Sequence, residues 1–322
     1  MSKILLQVED LHSFFFTRKG VVKAVDGISF HVDEGETFGL VGESACGKTV
    51  TALSILRLLP EPAGQIVGGK IILDGTNLLE LDKKEMRKYR GKVISMILQD
   101  PMTSLNPVYT VGDQISEAVR LHQGLRDEKI TEEVISALRL LKIPSPEVIM
   151  RNYPFQLSGG MRQRVVGAIA MSCHPRLLIA DEPTTALDAT IQAQYIALFK
   201  DVQKKTNVSI IFITHDFGVV ANMCHRVAVM YAGKIIETAT TREIFKEPKH
   251  PYTNALMQSV PRLDQKGGRL YSIKGQPPSL RDLPPGCRFF NRCPVAEDIC
   301  QQQEPAEVEV TKGHFVSCWR VQ

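Results

Sequence analysis

The 322 residues predict an α/β domain built on a parallel sheet, with antiparallel strands ahead of it and a small irregular tail behind. Three observations carry this. Apolar runs typical of buried strands, RLLIAD (Arg176–Asp181), VSIIFIT (Val208–Thr214) and RVAVMYAG (Arg226–Gly233), are separated by stretches of helical period. A glycine-bearing turn, GESACGKT (Gly42–Thr49), joins a strand candidate to a helix candidate. After about Arg262 the periodicity gives way to Pro, Gly and Cys.

Taken in order, residues 1–40 alternate apolar and polar and read as strands, the last being TFGLV (Thr37–Val41). TVTALSILRLL (Thr49–Leu59) has a helical period, and GGKIILDG (Gly68–Gly75) and KVISMIL (Lys92–Leu98) read as further strands. From about Asp100 to Pro154 the pattern turns helical, with DQISEAVRLHQ and TEEVISALRLLK as amphipathic segments. Pro248, Pro251 and Pro261 then break the rhythm, and no internal repeat or low-complexity tract is visible. The expected division is a main domain over 1–261, holding a helical block at about 100–165, and a C-terminal extension over 262–322.

Composition narrows the function classes. A net charge of +4 argues against a strongly basic nucleic-acid binder. No apolar run reaches the ~18 residues of a spanning helix. The start, MSKILLQVEDLHSFFF, has charges within ten positions and no small-residue cleavage site, so no signal peptide is expected. These features point to a cytoplasmic chain with reduced thiols, in which clustered cysteines favour metal or redox chemistry over structural disulfides.

GESACGKT matches the pattern G-x-x-x-x-G-K-[ST] between a strand and a helix. Successive backbone N–H groups and a helix N-terminus can surround an anion there. The nucleotide-binding candidates are Gly42, Glu43, Ser44, Ala45, Cys46, Gly47, Lys48, Thr49 and Val50. Gly42 and Gly47 allow close backbone approach, Lys48 reaches β- and γ-phosphates, and the Thr49 hydroxyl suits Mg²⁺. Cys46 reads as a small residue in the loop. The partner half is RLLIADEPTTALD, a buried strand ending in two acids. Asp181 is placed to hold Mg²⁺ and Glu182 to orient or deprotonate an attacking water. His215, in ITHD, and Gln99, after KVISMIL, end other strands, where open α/β sheets bind ligands. His215 is positioned to sense a γ-phosphate, and Gln99 to reach metal or water.

LSGGMRQR (Leu157–Arg164) fixes the class of ATPase. With Gly42–Thr49, Gln99, Ala180–Asp188 and His215 in this order, the sequence resembles the nucleotide-binding subunits of ATP-binding cassette (ABC) transporters over about residues 3–260. The resemblance implies a P-loop fold of the ABC type, with an antiparallel β subdomain, a helical subdomain and ATP hydrolysis. It makes Leu157, Ser158, Gly159, Gly160 and Met161 the signature that caps the ATP of an opposite subunit, and Ala186, Leu187 and Asp188 the D-loop. It also makes Gln99, Glu182 and His215 the catalytic set, and Thr49, Gln99 and Asp181 the Mg²⁺ set. An adenine-stacking aromatic is implied ahead of the loop. Phe14, Phe15 and Phe16 are the candidates, and Phe16 is favoured. Two departures stand out: Ala45 where many members have glycine, and TALD for the commoner SALD. Neither removes a charged or metal-binding group, so activity is expected.

QDPMTSLNPVYTVGDQI (Gln99–Ile115), HPYTNAL (His250–Leu256) and the tail are similar to the peptide/nickel subfamily of importers. That resemblance implies two transmembrane permease subunits, a second related ATP-binding subunit or a homodimer in isolation, and an extracytoplasmic solute-binding protein acting indirectly. It also implies peripheral attachment to the cytoplasmic face of the membrane. The solute stays open among dipeptides, oligopeptides and nickel. Soluble ABC-type ATPases acting on DNA or ribosomes often carry two cassettes, a coiled-coil insertion or basic stripes, none of which is visible. A redox sensor that only binds nucleotide would not need Glu182 and His215.

Cys287, Cys293, Cys300 and Cys318 give C-x5-C-x6-C-x17-C. This lacks the tight C-x2–4-C pairs of structural zinc sites and the ferredoxin spacing, so spacing alone leaves metal ligands and ordinary thiols both open. The resemblance to peptide-importer ATPases implies a [4Fe–4S] cluster on these four. Cys173 and Cys224 lie in or beside helical runs and read as core residues.

Overall fold

The computed structural model describes residues 3–99, 104–185, 188–260 and 271–322. Its strands are β1 (Ile4–Thr17), β2 (Gly20–Asp33), β3 (Thr37–Val41), β4 (Gly64–Leu73), β5 (Thr76–Asn77), β6 (Ile94–Ile97), β7 (Leu177–Asp181), β8 (Ser209–Thr214), β9 (Arg226–Tyr231), β10 (Lys234–Thr240), β11 (Val308–Thr311) and β12 (His314–Val316). The helices are α1 (Lys48–Ile55), α2 (Lys83–Tyr89), α3 (Val111–Gln123), α4 (Asp127–Leu140), α5 (Pro146–Ile149), α6 (Gly159–Met171), α7 (Ala189–Thr206), α8 (Phe217–Met223), α9 (Thr241–Lys246), α10 (Pro251–Ser259) and α11 (Asp298–Gln302). The chain forms two compact units, interleaved in sequence: residues 1–5, 32–37 and 80–213, and residues 6–31, 38–79 and 214–322.

In the first unit, β6, β7 and β8 run parallel, with Ile94 opposite Leu177 and Leu177 opposite Ser209. Every residue of β7 and β8 is buried, as a parallel sheet covered on both faces requires. The helical block follows from its apolar spacing. Val111, Ile115 and Val119 of α3, and Ile130, Val134 and Leu138 of α4, recur every four residues and are buried where these helices pack on α6. A capping box of Thr110 and Asp113 starts α3, and Gly124, at φ 65°, ends it.

The second unit holds two sheets. One has the order β2-β1-β4-β5, with β1 antiparallel to β4 from Leu6 opposite Leu73 to Phe15 opposite Gly64. In the other, β11-β12-β10-β9-β3, β3 runs parallel to β9 and the remaining pairs are antiparallel. Phe30 stacks on Phe38 at 5.2 Å in its core.

Two features depart from the pattern expected. β10 does not stand out in the sequence as a buried strand, because its centre is an acid. Glu237 is 1% exposed and accepts hydrogen bonds from Lys249 N (2.7 Å), His250 N (2.9 Å) and His314 Nε2 (2.7 Å). The tail, read as having little periodicity, supplies β11 and β12, which lengthen the sheet through Glu237 opposite Val316. Among the described residues no helix is long and apolar enough to cross a membrane.

Candidate functional site

The phosphate loop lies in the second unit, between β3 and α1. Gly42 (φ 152°) and Gly47 (φ 114°) are needed for more than flexibility. A Cβ would lie 2.2 Å from Met230 O at the first and 2.4 Å from Ala24 O at the second. Ala45 takes the left-handed region at φ 62°, where glycine is easier, so the alanine here carries backbone strain. Lys48 is 5% exposed and donates to Gly42 O at 2.8 Å and Glu43 O at 2.9 Å. Its ammonium is thus folded into the loop. The N-cap of α1 is Gly47, with no side-chain cap bond, so no side chain fills the helix N-terminus. A buried cation, a bending loop and an open helix start form a chemically suitable cradle for phosphate. Ser44, Ala45 and Thr49 are exposed, and Val50 is half-buried. Cys46 is buried, which pushes its thiol up and makes it inert packing. Phe16, near the end of β1, is 43% exposed and is the most open of Phe14, Phe15 and Phe16.

The acidic half lies in the first unit. Asp181 ends β7 and is 2% exposed. Glu182 follows at φ 46°, a strained backbone for a non-glycine residue. Its N–H donates to Ile213 O at 2.9 Å, which fixes the turn. Its carboxylate Oε2 accepts from Gln99 Nε2 at 2.9 Å and from the Thr185 hydroxyl at 3.0 Å. Gln99 and Glu182, 83 positions apart in the chain, therefore meet directly. The Thr of TALD keeps the hydroxyl that a Ser would supply. In this unit the carboxylate of Asp181 and the amide of Gln99, and in the second unit the hydroxyl of Thr49, are each hard oxygen donors of the kind Mg²⁺ prefers. Ala186 and Leu187 lie outside the described residues. Asp188 caps α7, accepting from Thr190 N and Ile191 N at 3.0 Å each.

The signature opens α6. Ser158 is its N-cap and accepts from Met161 N at 3.4 Å. Leu157 is buried, Ser158 and Gly159 are exposed, and Gly160 and Met161 are half-buried. A Cβ on Gly159 would meet nothing within 4 Å. His215 directly follows β8 and is exposed; the next residue, Asp216, caps α8.

The four tail cysteines gather in one part of the second unit. Cys287 N donates to Cys300 O at 2.7 Å. Burial, with smaller contributions from the three other thiols, pushes the Cys287 thiol up to about 11. Burial also raises Cys293 and Cys318. Among the described residues, however, no group of three or more His, Cys, Asp or Glu side chains is disposed to hold a metal ion.

Sequence reading missed Arg292. It lies in the extension and makes a two-pronged pairing with Glu43 of the phosphate loop, at 2.7 and 3.0 Å. No local pattern signals a contact across 249 positions. It also missed Tyr252, whose hydroxyl accepts from Glu43 N at 3.0 Å.

The chain is similar to known proteins over nearly its whole length. The ABC transporter family model matches residues 25–185, and the model for the oligopeptide/dipeptide transporter C-terminal region matches residues 236–300. A probable peptide ABC transporter ATP-binding protein, y4tR of Sinorhizobium fredii, is 52% identical over 98% of this chain and 95% of its own. The dipeptide transport ATP-binding protein DppD of Bacillus subtilis is 52% identical over 99% and 95%. Among solved structures, cbiO1 of Clostridium perfringens aligns with a TM-score of 0.64 at 27% identity, covering 76% of this chain and 92% of its own. The cassette MJ0796 aligns at 0.65 and 22% identity, over 74% and 99%, a likeness of fold.

Proposed function

This chain belongs to the ABC transporter ATP-binding proteins, in the branch with the oligopeptide/dipeptide transporter C-terminal region, and from that premise we propose that it hydrolyses ATP to energise peptide uptake. The observation that carries the hydrolytic reading is the hold on Glu182. A strained backbone and two side-chain donors aim one carboxylate from the end of a buried strand. Such a group suits activation of water. In the reaction, water attacks the γ-phosphorus in line, its proton passes to Glu182, and the bond to the β-phosphate oxygen breaks with its electrons leaving on ADP. Lys48 and the amides of Gly42–Thr49 offset charge on the phosphates, and His215 contacts the γ-phosphate. Phe16 stacks on adenine. Thr49, Asp181 and Gln99 would hold Mg²⁺, which when bound withdraws charge from the phosphate oxygens.

The assembly proposed is two cassettes head to tail, the partner being a related chain or, in isolation, a second copy, with Ser158–Met161 of each facing the ATP of the other. A helix N-terminus with an exposed serine and glycine supports this role, since it offers donors to an anion brought by a partner. Two membrane permeases would hold the pair at the cytoplasmic face, and an external binding protein would deliver the peptide.

For Cys287, Cys293, Cys300 and Cys318 we propose a [4Fe–4S] cluster with a structural or regulatory role, supported by Cys300, Cys318 and Cys293 lying near enough to Cys287 to raise its thiol. Anaerobic purification followed by metal analysis and an absorption spectrum near ~400 nm tests it. About four irons per chain, lost in Cys293→Ser, is the expected result; zinc or no metal in a chain that hydrolyses ATP removes the cluster. For the ATPase, Glu182→Gln should lower turnover by about 100-fold or more while leaving ATP affinity within about threefold. Hydrolysis at the normal rate would remove Glu182 from its role.

A further inference from the structure

Glu43 places a negative charge in a loop whose substrate is a polyanion. Its carbonyl oxygen accepts from Lys48 Nζ at 2.9 Å, so the residue adjoins the ammonium that meets phosphate. The C-terminal extension answers that charge. Arg292 donates from Nη1 to Glu43 Oε2 at 2.7 Å and from Nη2 to Oε1 at 3.0 Å. Its Nε donates to Lys274 O at 3.1 Å, and Nη1 also donates to the Tyr231 hydroxyl at 3.2 Å. The guanidinium lies 5.8 Å from the centre of the Tyr231 ring. The Arg292 side chain is 4% exposed and that of Glu43 is 28% exposed. All these residues belong to the second unit. A cation this enclosed is held at one spot by three neighbours, and its charge is directed at one carboxylate of the phosphate loop.

We propose that Arg292 is a positioning residue of the nucleotide site: by neutralising Glu43 it lets the loop accept a nucleoside triphosphate, and so makes the C-terminal extension a working part of that site. The argument is electrostatic. A free carboxylate in the loop would repel the phosphates through partly exposed surroundings, where screening is incomplete. Pairing with a fixed guanidinium cancels that repulsion and also fixes the Glu43 side chain. This rests on Gly42–Thr49 being the ATP loop.

The test is the dissociation constant of ATP for the full chain, measured at two salt concentrations. Arg292→Gln should bind ATP about tenfold more weakly at about 0.05 M salt, and the loss should shrink at about 0.5 M. Arg292→Lys, which keeps the charge, should stay within about threefold of the parent. The double variant Glu43→Gln/Arg292→Gln, with neither charge, should recover to within about threefold. Unchanged affinity in Arg292→Gln overturns the proposal. So does a double variant as weak as Arg292→Gln, which would make the pair a mechanical staple only. If Arg292→Gln does not fold, Arg292→Lys and the double variant decide: both near the parent value sustain it, and either about tenfold weaker overturns it. A parent chain that does not bind ATP would instead sink the reading of the loop.

Discussion

Gln99 donates its side-chain amide to Glu182 at 2.9 Å, joining the residue beyond β6 to the acid beyond β7. The same carboxylate oxygen also accepts from the Thr185 hydroxyl at 3.0 Å. A carboxylate held by two donors has a fixed direction, which matters more to water activation than its mere presence. Gln99→Ala should therefore lower ATP turnover by about tenfold with ATP affinity within about twofold, read from steady-state rates and a separate binding titration. Thr185→Val should cost less, because Gln99 still holds the same oxygen, while Thr185→Ser should be close to the parent rate.

Ser158 has two tasks that can be separated. As the N-cap of α6 it satisfies Met161 N, and Ser158→Ala should cost about 1 kcal/mol of stability in urea unfolding. Ser158→Asp should keep the cap and yet bring a negative charge to the face proposed for the partner's ATP. Its turnover should fall by more than that of Ser158→Ala, although its stability is higher.

The main parallel strands and the nucleotide motifs were legible because their signals are local. LLIAD and SIIFIT are continuous apolar runs, and Gly42, Gly47 and Lys48 sit within one turn of chain. What escaped was set by distant partners. β10 hides a buried Glu237 that only His314 and the backbone of Lys249 and His250 make tolerable. Arg292 looks like any surface arginine until Glu43 is placed beside it. The tail thiols differ again: their spacing leaves metal ligands and ordinary thiols both open, the resemblance alone implies the cluster, and among the described residues no group of three or more His, Cys, Asp or Glu is disposed to hold a metal ion.

Ala45→Gly should stabilise the chain. At φ 62° an alanine carries left-handed strain that glycine does not, and its side chain is exposed, so little packing is lost. Glycine's larger freedom in the unfolded chain offsets part of this, leaving a gain of about 0.5–1 kcal/mol. A shift of the urea midpoint to higher concentration checks it; a shift to lower concentration means that the methyl group packs.

Stability should fall as pH drops below neutrality, with His250 a main cause. Burial lowers its pKa from 6.5 to about 3. Its Nδ1 accepts from Tyr252 N at 3.0 Å, the cap of α10. The unfolded chain therefore takes up the proton first. The stability due to the neutral ring is fully present above pH 6.5 and is lost as pH falls from there towards about 3. Between about pH 6.5 and pH 5 that amounts to about 2 kcal/mol. His250→Asn keeps a cap acceptor without titrating, so its urea midpoint should change less than the parent's between pH 7 and pH 5. Equal slopes would assign the acid sensitivity elsewhere.

Because β12 pairs with β10, the end of the polypeptide covers what would otherwise be an open sheet margin. A premature stop codon after Ser259 would delete that cover and bare the main-chain donors and acceptors of KIIETAT to any strand that met them. It would also remove His314 from Glu237, leaving an acid inside a hydrophobic layer with one partner fewer. A truncated gene product of this kind should accumulate in inclusion bodies even though every motif for binding and splitting ATP is still encoded.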